Sequence, residues 1–182
     1  MYKRQDTNTL LGEVPEVKNF FVSCGLNSIG IGSGGGVGKV TAEWLINGHV
    51  NEDIFCYDIK RFQKFHSDLG FIKKRITESL GDLYGMHWPF KQHKTSRNIK
   101  ILPHHDLLKS FGACFGVSAG YERPMWFALD GENTEYEYSY NYQNWYPSVE
   151  YETSNTIKNV GLFDLTPFSK FEIKSNKAYE NL

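Results

Sequence analysis

Residues 17–25 (VKNFFVSCG) begin on polar Lys18 and Asn19, run through Phe20, Phe21 and Val22, and close on a glycine. An apolar, β-branched and aromatic run bounded in this way predicts a buried strand, central in a sheet. Residues 26–38 (LNSIGIGSGGGVG) are dense in glycine and predict a loop. Residues 39–46 then place Val40, Trp44 and the Leu45/Ile46 pair at helical spacing, before Asn47-Gly48 supplies a stop. The predicted unit is strand, glycine loop and helix, with the helix starting near Gly36. A short strand is expected over residues 54–57, leading to Asp58. Residues 61–84 read as largely helical: Phe62, Phe65, Leu69, Ile72, Ile76, Leu80 and Leu83 fall close to a three-or-four repeat. That helix is expected to turn Lys73, Lys74, Arg75 and Glu78 to water, with Gly70 as a break.

Farther along, residues 85–105 are polar, basic and aromatic without a period, and are expected to be loop. Residues 107–119 predict a helix broken near Gly112 and Gly116, and residues 120–129 (GYERPMWFAL) a strand that begins around Pro124. In residues 135–142, Glu and Ser alternate with Tyr, a period of two that predicts an edge strand with its rings on one face. Residues 148–159 predict a helix, and residues 160–173 a strand, a turn at Thr166-Pro167 and a second strand. The expected class is α+β. No internal repeat is evident.

Twenty basic and twenty-one acidic side chains leave a formal charge of -1, which lacks the electrostatic footprint of a nucleic-acid binder. No apolar run reaches the roughly 20 residues that span a bilayer, and residues 1–5 offer no apolar stretch for a secretory signal. A small neutral partner and a cytoplasmic location are expected. Cys24, Cys56 and Cys114 are odd in number and widely spaced, which argues against a disulfide framework or a zinc ribbon. Cys24 and Cys56 lie in apolar runs and are expected in the core.

The chemistry concentrates in the glycine-rich stretch. Residues 33–40 (SGGGVGKV) nearly spell a phosphate-binding P-loop, but Ser33 replaces its first glycine and Val40 stands at the magnesium-binding hydroxyl position, so a nucleoside triphosphatase is excluded. Residues 30–35 satisfy G-x-G-x-x-G, and Glu52, Asp53 or Asp58 could serve as the acid about 20 residues on. A Rossmann-type module built on this motif requires residues 54–58 to pair parallel to residues 17–25. Glycines also let a ligand approach the backbone, and a following helix aims free N–H groups at it. Elsewhere, His104, His105 and Asp106 are adjacent on a loop and do not converge on one ion, so no metal site is expected; Glu122 and Arg123 are expected to form an ion pair.

Residues 15–49 resemble the last strand and helix of the flavin domain in the dimethylglycine and sarcosine dehydrogenase family. Residues 57–62 (YDIKRF), 103–106 (PHHD), 120–127 (GYERPMWF) and 138–145 (YSYNYQNW) resemble successive later blocks, and residues 160–166 (VGLFDLT) the opening of the aminomethyltransferase-type folate domain. The resemblance implies an FAD contact at Leu26, Asn27, Ser28, Ile29, Gly30 and Ile31, in the turn that in this family lies over the flavin ring. It further implies a small N-methyl amino acid as substrate, an electron acceptor it does not identify, and tetrahydrofolate as the acceptor of the one-carbon unit. In a eukaryote the location would be the mitochondrial matrix. Thr153 departs from the family, whose members usually carry histidine after the residue matching Glu152.

Residues 1–5 resemble a translated sequencing adaptor, so the chain is expected to be a piece of a longer protein. The expected division is residues 6–54 as the end of a flavin domain, 55–115 as a central FAD oxidoreductase domain and 116–182 as the start of the folate-binding domain. The dinucleotide-binding start of the flavin domain and the folate-activating acid would lie outside, leaving this chain inactive alone. A noncatalytic relative, the pyruvate dehydrogenase phosphatase regulatory subunit, shares the same blocks.

Overall fold

The computed structural model describes residues 6–181; the adaptor-like residues 1–5 lie outside the described residues. Two compact units are present. The first runs up to His87 and includes His93–Ser96; the second comprises Trp88–Gln92 and the residues from Arg97 onward. Helices and antiparallel strand pairs give the expected α+β class.

In the first unit, β1 (Leu10–Glu13) pairs antiparallel with β2 (Phe21–Cys24). The predicted central strand is thus short, and it is one arm of a hairpin. Residues 14–20 form the connecting turn, in which the Val14 N–H donates to the Phe20 carbonyl and Asn19, at φ 63°, donates its N–H to the Glu13 carboxylate at 2.7 Å. Phe20 is consequently exposed. α1 (Gly30–Asn47) begins at Gly30, so most of the predicted glycine loop is helix. Gly48, at φ 77°, ends it and donates its N–H to the Trp44 carbonyl at 2.9 Å, as the Asn47-Gly48 signal anticipated.

Ser33, Val37, Val40 and Trp44 form the stripe of α1 that faces the hairpin. Trp44 is buried, edge-on to Phe21 at 5.9 Å. Its ring lies so near Gly12 that a Cβ there would sit 2.6 Å from it, while Gly12 itself holds φ 112°; both facts require glycine. Residues 54–57 are a turn and make no strand: Tyr57 and Asp58 both donate to the Ile54 carbonyl. Their one ladder-like link is Leu11 N–H to the Tyr57 carbonyl, with a parallel bridge from Leu11 to Asp58. The acid-bearing segment therefore meets β1 and not residues 17–25, which removes the pairing the Rossmann reading requires.

α2 spans Leu69–Tyr84, after two short 3-10 turns at Ile59–Arg61 and Lys64–Ser67. Asp68 caps it by accepting from the Phe71 N–H at 2.8 Å, so the helix starts later than periodicity predicts and Gly70 lies in its first turn without breaking it. Phe71, Ile72, Arg75 and Ser79 are buried. Arg75 and Glu78 thus face inward, contrary to the expected wet face. Arg75 donates to the carbonyls of Thr95 and Ser96, and Glu78 accepts from the N–H groups of Lys94 and Thr95. Apolar periodicity could not anticipate a polar clamp on a returning segment.

In the second unit, α3 (His105–Ser110) is brief, Gly112 turns the chain at φ 82°, and β3 (Ala113–Ser118) pairs antiparallel with β4 (Tyr121–Phe127). The second half of the predicted broken helix is therefore a strand. Here Cys114, opposite Trp126, is buried. α4 (Tyr146–Lys158) starts two residues before its predicted position, with Pro147 in its first turn. Residues 135–142 form no strand. Instead Tyr136 and Tyr138 stack at 5.7 Å, Tyr136 meets Trp126 edge-on at 4.5 Å, and Trp126 stacks on Trp145 at 5.0 Å. Ring packing replaces backbone pairing there. Residues 160–173 keep only the turn, where Thr166 N–H donates to the Asp164 carboxylate at 2.8 Å; the flanking strands are absent.

The predicted Glu122–Arg123 pair does not form. Glu122, 1% exposed, binds Arg97 through Nε at 2.7 Å and through Nη2, and also accepts the Asn98 N–H at 2.7 Å. Neighbouring side chains of a strand point to opposite faces, so Arg123 turns away and lies over the Phe168 ring at 5.2 Å. Cys24 and Cys56 are exposed, against expectation, because the hairpin and the turn that carry them are surface elements.

Candidate functional site

Leu26, Asn27, Ser28 and Ile29 form the turn between β2 and α1, and Gly30 and Ile31 open the helix. All six candidate residues are thus contiguous around one helix N-terminus. Asn27 (φ 38°) and Ser28 (φ 66°) are left-handed, a conformation asparagine tolerates better than most residues. The turn is closed by Ile29 N–H donating to the Leu26 carbonyl at 2.9 Å, and tied to the chain start by Asn27 Nδ2 donating to the Thr7 carbonyl.

No side chain caps α1, and its first turn holds no acidic residue. The leading N–H groups of Gly30, Ile31 and Gly32 and the positive end of the helix dipole therefore lie at this turn, an arrangement that favours an electron-rich group. Ile29 and Ile31 are exposed beside them.

Along the helix, a Cβ added at Gly32, Gly34, Gly35, Gly36 or Gly38 would meet nothing within 4 Å. The glycines therefore do not serve to pack α1 against its own hairpin. Each costs about 0.8–1 kcal/mol of helix stability relative to alanine, with no packing return inside this unit. The outer stripe of α1 reads Ile31, Gly35, Gly38, Ala42 and Leu45/Ile46, and Ile46 is 81% exposed. α1 thus presents apolar side chains on two faces, one of which its own unit leaves open. Between the inner face and the hairpin lies a cavity of ≈ 300 Å³ lined by Thr9, Leu11, Gly32, Gly36, Val40 and Tyr57. Lys39, the P-loop decoy, sits mid-helix and pairs with Glu43 at 2.9 Å and Glu52 at 3.2 Å; Glu52 is thereby a helix-surface partner of lysine.

His104 and His105 stand at the start of α3, and the His105 ring lies against Phe115 at 4.2 Å. They are not brought together with a carboxylate pair among the described residues. The second unit holds a cavity of ≈ 530 Å³ lined in part by Arg123, Phe127, Tyr151, Leu162 and Phe168, which no motif announced. No described helix is long and apolar enough to cross a membrane.

The profile of the FAD dependent oxidoreductase central domain matches residues 47–101, and that of the GCVT N-terminal domain matches residues 104–182. The chain is 42% identical to 4-methylaminobutanoate oxidase (formaldehyde-forming) of Paenarthrobacter nicotinovorans, over 96% of its own length and 21% of the relative. It is 33% identical to the mitochondrial pyruvate dehydrogenase phosphatase regulatory subunit of Mus musculus, over 97% of the chain and 21% of that protein. It is also 33% identical to the mitochondrial sarcosine dehydrogenase of Mus musculus, over 89% of the chain and 18% of that protein. The chain thus spans about a fifth of the length of these relatives.

Proposed function

Because the chain belongs to the dimethylglycine and sarcosine dehydrogenase family, we propose that it is part of a flavin-dependent enzyme that oxidatively demethylates a small N-methylated amino acid. The observation that carries this reading is α1: uncapped at its N-terminus, with five glycines at which an added Cβ would meet nothing within 4 Å, and apolar on a face its own unit leaves open. Such a helix suits close approach by a flat, electron-rich cofactor and the remainder of its binding domain.

Leu26, Asn27, Ser28, Ile29, Gly30 and Ile31 would hold FAD, and the N–H groups at the start of α1 would favour its electron-rich edge. When bound, the flavin supplies the acceptor for the hydride equivalent lost from the N-methyl carbon of substrates such as sarcosine or dimethylglycine. The helix dipole would favour the negative charge of the reduced form. The Asn27–Thr7 hydrogen bond would fix the left-handed turn in that position. Domain borders on this reading fall between residues 47 and 54 and between residues 101 and 116, and the segment after the second border would open the domain that passes the one-carbon unit to tetrahydrofolate.

The longer protein should purify yellow and bleach when sarcosine, dimethylglycine or 4-methylaminobutanoate is added without oxygen. The substrate that bleaches fastest identifies the chain length recognised. The 33% identity to the phosphatase regulatory subunit supports a second, noncatalytic reading. A colourless protein that takes up no added FAD would favour that reading and refute demethylation.

A further inference from the structure

Glu78 and Asp82 stand four residues apart on α2, so both carboxylates project from one face of the helix. The segment returning past that face brings His93 to them. His93 Nδ1 lies 3.9 Å from Glu78 Oε1 and 3.8 Å from Asp82 Oδ2, and one donor atom from each of the three residues lies within 4.8 Å of the others. All three are partly buried, and all belong to the first unit.

These separations decide between two kinds of contact. A charge-assisted hydrogen bond between imidazolium and carboxylate would close to about 2.7–2.9 Å. Ligands held 2.0–2.2 Å from a tetrahedral zinc ion stand about 3.4 Å apart. The two His93 spacings lie nearer the second value and reach it with a contraction of about half an ångström, while the Glu78 and Asp82 oxygens, within 4.8 Å of the other donors, would draw together around the same ion. The Glu78 carboxylate is also oriented from behind. Its Oε1 accepts the Lys94 N–H at 2.6 Å and its Oε2 accepts the Thr95 N–H at 2.8 Å and the Thr95 hydroxyl. Hydrogen bonds of this kind fix a ligating carboxylate while leaving a lone pair for an ion. Beside the cluster is a cavity of ≈ 120 Å³ lined by Asp6, Ser79, Asp82, His87 and His93, which has room for a water as fourth ligand.

We propose that Glu78, Asp82 and His93 form a binding site for a divalent cation of the zinc type, clamping the His93–Ser96 segment onto α2. One imidazole and two carboxylates suit zinc or its first-row neighbours. Thiolate-seeking copper(I) lacks its ligand here, and calcium would need more oxygens. The site is independent of the flavin reading and is carried by a different helix.

The 182-residue chain, stripped with chelator, is titrated with zinc chloride by calorimetry. One equivalent should bind, and Asp82→Asn and His93→Ala should each weaken it about tenfold or more, whereas His104→Ala should leave it unchanged. Because misfolding of a variant would also weaken binding, the native chain is also titrated with cobalt(II) and followed by amide NMR. Signals of residues 78–82 and 93–95 should broaden first. Zinc binding that is absent, or that is unchanged in both variants, or cobalt broadening centred elsewhere, would overturn the proposal.

Discussion

Replacing Gly35 with alanine should stabilise this chain, and replacing Gly12 should cripple it. At Gly35 a Cβ would meet nothing within 4 Å, and the residue sits inside α1. The substitution removes only the backbone-entropy penalty of glycine in a helix, about 0.8–1 kcal/mol. Gly38→Ala is equivalent, and the two are a turn apart on an open face, so the pair should give about 1.5–2 kcal/mol. For a unit of this size, one kcal/mol moves the thermal midpoint by roughly 4–8 °C. Gly12→Ala is the internal control. A side chain at φ 112° is strained by about 1–3 kcal/mol, and its Cβ, 2.6 Å from the Trp44 ring, adds overpacking of similar size. Urea and thermal unfolding of the purified chain, read by circular dichroism, should therefore give opposite signs at residues 12 and 35. In a longer chain that carries the rest of a flavin domain, the sign at Gly35 should reverse, with lower flavin retention, because the open face would be covered. If Gly35→Ala destabilises the isolated chain by about 1 kcal/mol or more, that face is already occupied and the reasoning about α1 fails.

Glu122→Gln should cost about 2–4 kcal/mol in urea unfolding, since it leaves the Arg97 guanidinium facing a buried neutral group; a loss below about 0.5 kcal/mol would refute the assigned role. Burial raises the Glu122 carboxyl pKa, but the Arg97 pair and the Asn98 N–H more than offset this and leave it below its ordinary 4.5. A depressed folded-state value means this contribution is complete above about pH 4.5 and vanishes as pH falls through the folded-state value, so an acid titration of stability should flatten in Glu122→Gln. Thiol labelling should separate the cysteines: Cys24 and Cys56 are exposed and should react readily, whereas burial pushes the Cys114 thiol up to about 11 and should protect it until unfolding. Three thiols labelled at equal rates in the native chain would contradict the β3–β4 packing.

What the sequence made legible is what local chemistry decides. α1 carries its Asn47-Gly48 stop and the Val40–Trp44 spacing, signals that act within a few residues, and the helix runs through the spacing and ends at the stop. β1 was invisible because four residues hold too little pattern, and its strand character comes from partners, with Cys24 opposite Leu10 and Tyr57 accepting from Leu11. The six residues proposed to contact flavin were chosen by family resemblance, and the helix that follows them was expected to start near Gly36. Glycine's low helix propensity argued for loop, and helix won because Val37, Val40 and Trp44 bind its inner face to the hairpin. The reverse error at residues 113–118 has the same cause. Cys114, Phe115 and Val117 were read as a helical continuation until β4 offered a ladder, and strand propensity is realised only against a neighbour. Arg75 and Glu78 show the limit most clearly. On apolar spacing alone they belong to the solvent face, yet each is fixed by backbone groups 16–21 residues away, contacts that no periodicity encodes. The residues of the two proposed sites follow the same rule. A turn can be recognised from its own letters, whereas the grouping of Glu78, Asp82 and His93 exists only after the chain has come back on itself.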